Sequence, residues 1–101
     1  KTKKEILEYY QHGHRFYRNV DFDNGESYAD SNFQDAMFEN CYFGVDFSNS
    51  NFRNARFSGC NLKSTNFSNC DLTKTEIVNC LLEAVDFGNS DTLSLTFENN
   101  T

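Results

Sequence analysis

The sequence contains no proline, no tryptophan and one methionine among its 101 residues. No apolar run approaches the ~20 residues that a helix needs to cross a bilayer, and no segment resembles a signal peptide, so we expect no membrane association. Only 38% of the residues are apolar, and the mean hydropathy is -0.70. A conventional globule of this size and composition would have a thin core.

Residues suited to catalysis or metal binding are equally scarce. The only histidines are His12 and His14, two residues apart, with no thiol or carboxylate at ligand spacing. This is weak evidence for a metal site, and a histidine at a helix end is the better interpretation. No serine or cysteine has a plausible catalytic base. We therefore expect no enzyme activity, no catalytic residue, no cofactor and no metal.

What the sequence does contain is a strict period of five. Residues 45–89 divide into nine units with a small residue first and a large apolar residue third, and the second residue is Asp or Asn in six of them. A period of five fits neither an amphipathic helix nor an alternating strand. It indicates a chain that turns a corner every five residues, forming a solenoid whose coils stack roughly 4.8 Å apart.

Two inward positions follow from this pattern. The large one is predicted to hold Phe33, Phe38, Phe43, Phe47, Phe52, Phe57, Leu62, Phe67, Leu72, Ile77, Leu82 and Phe87. The small one is predicted to hold Cys41, Val45, Ala55, Cys60, Cys70, Cys80 and Val85. An extra residue at Gly25 and a four-residue unit ending at Gly44 should lie at corners, because inside a face they would turn core side chains outward.

These units resemble the pentapeptide-repeat family, whose consensus is alanine, aspartate or asparagine, leucine or phenylalanine, and two variable residues. The resemblance implies an all-β solenoid, a right-handed quadrilateral β-helix with four units per coil. Sixteen units from Val20 to Asn99 would then make about four coils, roughly 19 Å long. We predict a leader with a capping helix in 1–19, the β-helix in 20–99 and a tail in 100–101.

The two ends of the solenoid differ. Thr2 and Glu5 form a capping-box pattern and Gly13 supplies a stop, which predicts a short helix over 3–12 that covers the first coil. No capping segment follows Asn99, so we expect the last coil to be covered in a homodimer or exposed because the chain is a fragment. Beyond Asn89 two frames remain open, with either Thr92 or Leu93 pointing inward.

The corners and the cysteines have structural interpretations. Asn recurs at the fifth position of the unit, where its tolerance of positive φ suits a tight corner. All four cysteines occupy the small inward position, as buried fillers. Cys60 and Cys80 would stack one coil apart, but parallel side chains make the disulfide torsion hard to reach. We expect free thiols, which suit a reducing cytoplasm.

Charge and surface residues bear on the partners. Residues 1–18 carry a net charge of +3 and the remainder -9, so direct binding to nucleic acid through its phosphates is not expected. Four apolar residues at outward positions form a candidate partner patch: Met37, Tyr42, Val78 and Leu81. Neighbouring apolar residues on an otherwise polar surface mark interaction sites.

The favoured function is a non-enzymatic scaffold of the bacterial cytoplasm that binds another, unidentified protein. The alternative is a DNA-mimicking inhibitor or protector of DNA gyrase, because the fluoroquinolone-resistance members of the resembled family imitate duplex DNA in shape and charge. Four coils would imitate only about six base pairs at ~3.4 Å each. The acidic faces are also interrupted by Arg53, Arg56, Lys63 and Lys74, which favours the scaffold.

Overall fold

The computed structural model describes residues 1–101 as one helix followed by a parallel β-solenoid. Helix α1 spans Lys3–Gln11, and five short strands follow: β1 Phe16–Arg18, β2 Met37–Glu39, β3 Arg56–Ser58, β4 Glu76–Val78 and β5 Thr96–Glu98. The strands form one sheet in chain order, each parallel to the next. The predicted solenoid of about four coils with a short N-terminal helix is confirmed. No helix in it has the length and apolar character required to cross a bilayer.

The irregular units lie at corners, as predicted. Strands β1 and β2 begin 21 residues apart and strands β2 and β3 begin 19 apart, whereas the later spacings are 20. Gly25, at φ +80°, lies in the long coil, and Gly44, at φ +77°, lies in the short one. Because both glycines adopt the left-handed conformation, one inserted residue and one deleted residue cancel without changing which side chains point inward.

Corners elsewhere are made by residues in the left-handed conformation at the fifth position. Most are Asn, for example Asn49 at φ 60° and Asn69 at φ 57°. Asn24 is an exception, because Gly25 takes the positive φ at that corner. The hydrogen bond from side chain to nearby backbone occurs instead at the second position, where Asp46 Oδ1 accepts from the Ser48 amide at 2.8 Å. The turn is therefore specified by two positions of each unit.

The large inward side chains form stacked columns. Those from Phe33 to Ile77 are all at most 1% exposed. Rings one coil apart stack face to face: Phe38 lies 4.8 Å from Phe57, and Phe47 lies 5.7 Å from Phe67. In the last coil Leu82 and Phe87 are only half-buried, because no further coil packs on them.

Small inward side chains follow the same gradient. All members of this set except Val85 are at most 6% exposed: Cys41, Val45, Ala55, Cys60, Cys70 and Cys80. Val85, in the last coil, is half-buried. Each side of the solenoid therefore contributes one column of large inward side chains and one column of small inward side chains.

The first coil is closed by α1. Glu5 N donates to Thr2 Oγ1 at 3.1 Å and Thr2 N donates to Glu5 Oε1 at 2.9 Å, so the predicted capping box is present. Ile6 of α1 is fully buried, and Tyr10 packs edge-on against Phe33 at 5.7 Å. The helix covers the aromatic end of the solenoid that would otherwise face water.

The sheet begins earlier than Val20, inside the segment 1–19 that we assigned to the leader. Strand β1 pairs in register with β2, placing Tyr17 beside Phe38. Tyr17 is 2% exposed, and its ring stacks on Phe38 at 5.4 Å. Residues 15–19 therefore form one more unit, with Tyr17 at the large position and Asn19 at a positive φ of 56°.

The frame continues unchanged beyond Asn89. Asp91 pairs with Asp71, and Ser94 takes the left-handed corner at φ 59°. Thr92 thus keeps the large position and Leu93 points outward, where it is 70% exposed. Thr92 is exposed as well, because no coil within residues 1–101 packs on it.

Candidate functional site

Polar side chains inside the solenoid donate hydrogen bonds to backbone carbonyls of the neighbouring coil. At the small inward position, Thr75 Oγ1 donates to Phe52 O at 2.7 Å and Ser90 Oγ donates to Phe67 O at 2.6 Å. Cys70 Sγ makes the equivalent contact with Phe47 O at 3.1 Å. No buried side-chain nitrogen or oxygen lacks a partner. These side chains therefore hold neighbouring coils together.

The sequence contained a signal for these bonds that we did not use. Cysteine, serine or threonine fills most small positions, and all three carry a hydrogen on a heteroatom. A role as inert filler would admit alanine equally well. The predominance of donors indicates a carbonyl that needs a partner.

The cysteines are free and buried. Cys60 N donates to Cys80 Sγ at 3.4 Å. The neighbouring Cys60 side chain lowers the pKa of Cys80 below the ordinary value of a thiol, and burial raises the pKa of Cys70 to about 11. Cys80 is 1% exposed, so its low pKa does not make it accessible to a reagent.

The two histidines are not brought together as ligands. His12 lies at the C-terminal end of α1, where Nδ1 is 2.8 Å from Glu8 O. The His14 ring lies edge-on to Tyr17 at 4.8 Å and to Tyr9 at 5.9 Å. No cluster of three or more histidine, cysteine or acidic side chains in residues 1–101 has the arrangement of a metal site.

The four residues of the candidate partner patch do not form one continuous surface. Tyr42 and Leu81 are 44% and 38% exposed and lie in one column with Asn61 between them. Met37 is 48% exposed but lies in β2, on another face. Val78 is only 9% exposed. Its inclusion was wrong, because it lies between Ser58 and Glu98 of the neighbouring strands.

Many carboxylates on the outer surface serve the turns. Asp71 and Asp91 stack one coil apart, and each accepts the backbone amide two residues further along. Hydrogen bonds from the Ser48 amide and hydroxyl lower the pKa of Asp46. Other acids pair with bases across coils: Arg18–Glu39 at 3.1 Å, Arg56–Glu76 at 3.8 Å and Lys63–Glu83 at 3.9 Å.

Sequence reasoning missed two further groups of exposed apolar residues, one at each end. At the N-terminal end, Tyr9 and Phe16 are 42% and 45% exposed. At the other end, Leu93 and Phe97 are accessible on the last coil. Phe16 was detectable, because it is the single phenylalanine that falls outside the large inward position.

Comparisons with known proteins agree with this architecture. A model of the pentapeptide repeat region matches residues 31–101. A search of curated protein sequences finds no significant match. Among solved structures, a pentapeptide repeat protein from the Arabidopsis thaliana thylakoid lumen is similar, with 15% identity and a TM-score of 0.72 over 82% of this chain. The chain spans 60% of the length of that protein.

Two more solved structures are similar at lower scores. A pentapeptide repeat protein from Nostoc PCC 7120 shares 16% identity at a TM-score of 0.50, over 95% of this chain and 75% of its own. A plasmid-mediated fluoroquinolone resistance protein shares 19% identity at a TM-score of 0.45, over 85% and 52%. At such identities the likeness concerns the fold alone.

Proposed function

The chain belongs to the pentapeptide-repeat family, and from this premise we propose that it is a non-enzymatic scaffold that binds another protein. The supporting observation is how its polar and apolar groups are distributed. Inward polar groups are satisfied within the fold, whereas large apolar side chains stand at outward positions that most units fill with polar residues. Such side chains on a rigid face are suited to contact a partner.

The best-placed pair lies on the face that contains Asn61. Tyr42 and Leu81 flank that residue in the same column, about 10 Å apart at the usual strand spacing. Leu81 also borders an open recess of about 420 Å³ that is lined by Lys63, Leu82 and Glu83. One partner side chain in the recess and one against the tyrosine ring would span both residues.

A double substitution tests this surface. Changing Tyr42 and Leu81 together to serine should reduce partner capture in pull-downs or self-association in light scattering. Stability should change little, because substitutions of exposed residues usually alter it by less than about 0.5 kcal/mol. Met37→Ser is the matched control, since it removes an equally exposed apolar side chain from another face. Unaltered binding by the double variant would contradict the proposal.

A second copy of the chain is one candidate partner. The last coil exposes Leu93 and Phe97, and a homodimer through this coil would cover them. Phe97→Ser should then shift a concentration-dependent dimer to monomer in analytical ultracentrifugation. A wild-type chain that is monomeric at all concentrations would remove this candidate.

We also propose the bacterial cytoplasm as the location. The four buried free thiols support it, because free cysteines persist in reducing compartments. Fractionation of cells that express the complete protein from its own gene would test it, and recovery from the periplasm or medium would contradict it.

The DNA-mimic alternative rests on charge. The region after residue 18 carries a net charge of -9, with acidic side chains stacked in columns. Two observations weigh against a DNA mimic. Carboxylates such as Asp46 and Asp71 accept hydrogen bonds from nearby backbone amides, and three ion pairs interrupt the acidic surface. A gyrase supercoiling assay separates the two functions. Inhibition or quinolone protection that is lost at high salt, where steering charges are screened, would favour the mimic.

A further inference from the structure

An open recess of about 400 Å³ lies beside the first coil, between α1 and β1. Its lining combines aromatic and cationic side chains, principally Lys1, Tyr9, His14, Phe16 and Arg18. It is distinct from the Tyr42 and Leu81 face, because neither of these residues lines it.

The His14 ring of the recess is held between two aromatic neighbours. His14 packs edge-on between Tyr9 at 5.9 Å and the buried Tyr17 at 4.8 Å. Phe16 points outward from β1 and is 45% exposed. Side chains that are already ordered lose little conformational entropy when a partner binds. The recess thus offers a preformed apolar floor.

Two cations lie on the same surface. Lys1 Nζ is 4.8 Å from the centre of the Tyr9 ring, and Arg18 Cζ is 5.2 Å from the centre of the Phe16 ring. Arg18 also pairs with Glu39 at 3.1 Å, yet its side chain remains 57% exposed. Each cation therefore keeps donors free for an incoming carboxylate.

The charge of this region differs in sign from the rest of the molecule. Residues 1–18 carry a net +3 and the remainder -9. An acidic ligand is repelled by most of the surface and attracted at this end, which steers it towards the recess. Nucleic acid has the same sign of charge, but its extended phosphate backbone would have to lie along the acidic coils. A short acidic segment avoids that repulsion.

We propose that the recess is a docking site for an acidic peptide segment that carries a large apolar side chain. The apolar side chain packs between Tyr9 and Phe16, and flanking carboxylates pair with Lys1 and Arg18. The inference deepens the proposed scaffold function, because it names the chemistry of one partner segment and a second contact surface.

A direct binding measurement tests it. The probe is a fluorescein-labelled peptide in which Asp and Glu flank a single Phe, and binding is followed by fluorescence anisotropy. The double variant Phe16→Ser with Arg18→Ser should weaken binding about tenfold or more, since it removes an aromatic anchor and a charge partner. Phe16→Tyr with Arg18→Lys should retain most of the binding. Tyr42→Ser is the matched control and should leave it unchanged.

Ligand variants identify the chemistry. Replacing the peptide's Phe by Ala, or its acids by Lys, should abolish binding, and added salt should weaken it. Equal binding to the Phe16→Ser, Arg18→Ser variant, or tighter binding of a single-stranded oligonucleotide, would overturn the inference. A wild-type dimer that dissociates on Phe16→Ser would assign the recess to a second copy and also overturn it.

The inference and the scaffold function can fail separately. Partner capture that survives the Phe16 and Arg18 substitutions but is lost with those at Tyr42 and Leu81 would overturn the recess and leave the scaffold standing. If no partner is captured but the peptide binds specifically, the scaffold function is overturned and the recess stands.

Discussion

Phe67 offers the sharpest test of the stacked core. Its side chain is fully buried, with the Phe47 ring below and the Phe87 ring above, each at 5.7 Å and nearly parallel. Edge contacts to Phe52 at 5.4 Å and Phe57 at 5.6 Å close the remaining sides. Removal of this ring leaves a cavity that the flanking rings cannot fill without leaving their own stacks.

The expected magnitude follows from this environment. Phe67→Ala should destabilise the protein by about 3–5 kcal/mol, the usual range for a buried phenylalanine. With about 4 °C or more per kcal/mol for a domain of this size, the melting temperature should fall by at least about 12 °C. Phe67→Asp should unfold the chain, because an unpaired buried carboxylate costs several kcal/mol more. Phe67→Leu should cost least, since Leu62 and Leu72 occupy the same repeat position.

Phe97 is the matched control. It occupies the same position of its unit but is 51% exposed, with a single edge-on ring contact to Phe87 at 5.7 Å. In the monomer, Phe97→Ala should cost only about 1 kcal/mol, because half the ring is already in water. Thermal and urea unfolding followed by far-ultraviolet circular dichroism measure both values. Equal losses from Phe67→Ala and Phe97→Ala, or wild-type melting of Phe67→Asp, would refute the inward assignment.

Three further predictions concern polar groups. Thr75→Val should cost about 1 kcal/mol in urea unfolding, because it removes the 2.7 Å bond to Phe52 O at nearly constant volume, whereas Thr75→Ser should retain most of it. Hydrogen bonds from Ser48 lower the pKa of Asp46. The ionised carboxylate should therefore stabilise the fold fully above the unfolded pKa of about 3.9, and this stabilisation should be lost as pH falls through the lower folded pKa. Asp46→Asn should reduce the decrease of the melting temperature at acidic pH. Burial raises the pKa of Tyr17 and Tyr28 to about 12. The contribution of these neutral side chains to stability should be complete below about pH 10 and should fall as pH rises towards 12. A variant with both tyrosines changed to phenylalanine that loses as much stability at alkaline pH as the wild type would contradict this.

The repeat pattern predicted the core well because each position of the five-residue unit has the same environment in every inner coil. A residue such as Phe52 meets a neighbour of the same kind above and below, so its burial depends only on its position in the unit. The same argument predicts where it fails. Leu82 and Phe87 have the correct position but are half-buried, because burial also requires a coil on both sides.

Tyr17 shows a different reason for failure. Its unit, residues 15–19, has Arg at the first position and Phe at the second, so neither the small residue nor the acidic residue that marks a repeat is present. The hydroxyl group explains why tyrosine suits the first coil, since Tyr17 Oη donates to His14 O at 3.3 Å where the chain leaves α1. Arg15 and Phe16 thus hide the repeat, whereas Tyr17 joins the first coil to the segment that follows α1.

Exposure on the outer surface depends on columns, which a period of five alone does not define. Gly25 and the unit ending at Gly44 shift the alignment of one coil, so Tyr42 pairs with Asp21 below and Asn61 above, at spacings of 21 and 19 residues. Val78 and Leu81 are three residues apart and both outward, yet their different neighbours leave one buried and the other accessible. A partner contacts outward side chains that are stacked on successive coils, because adjacent coils lie about 4.8 Å apart. Recognition by this protein should therefore change when a residue is inserted at a corner, even if no exposed side chain is replaced.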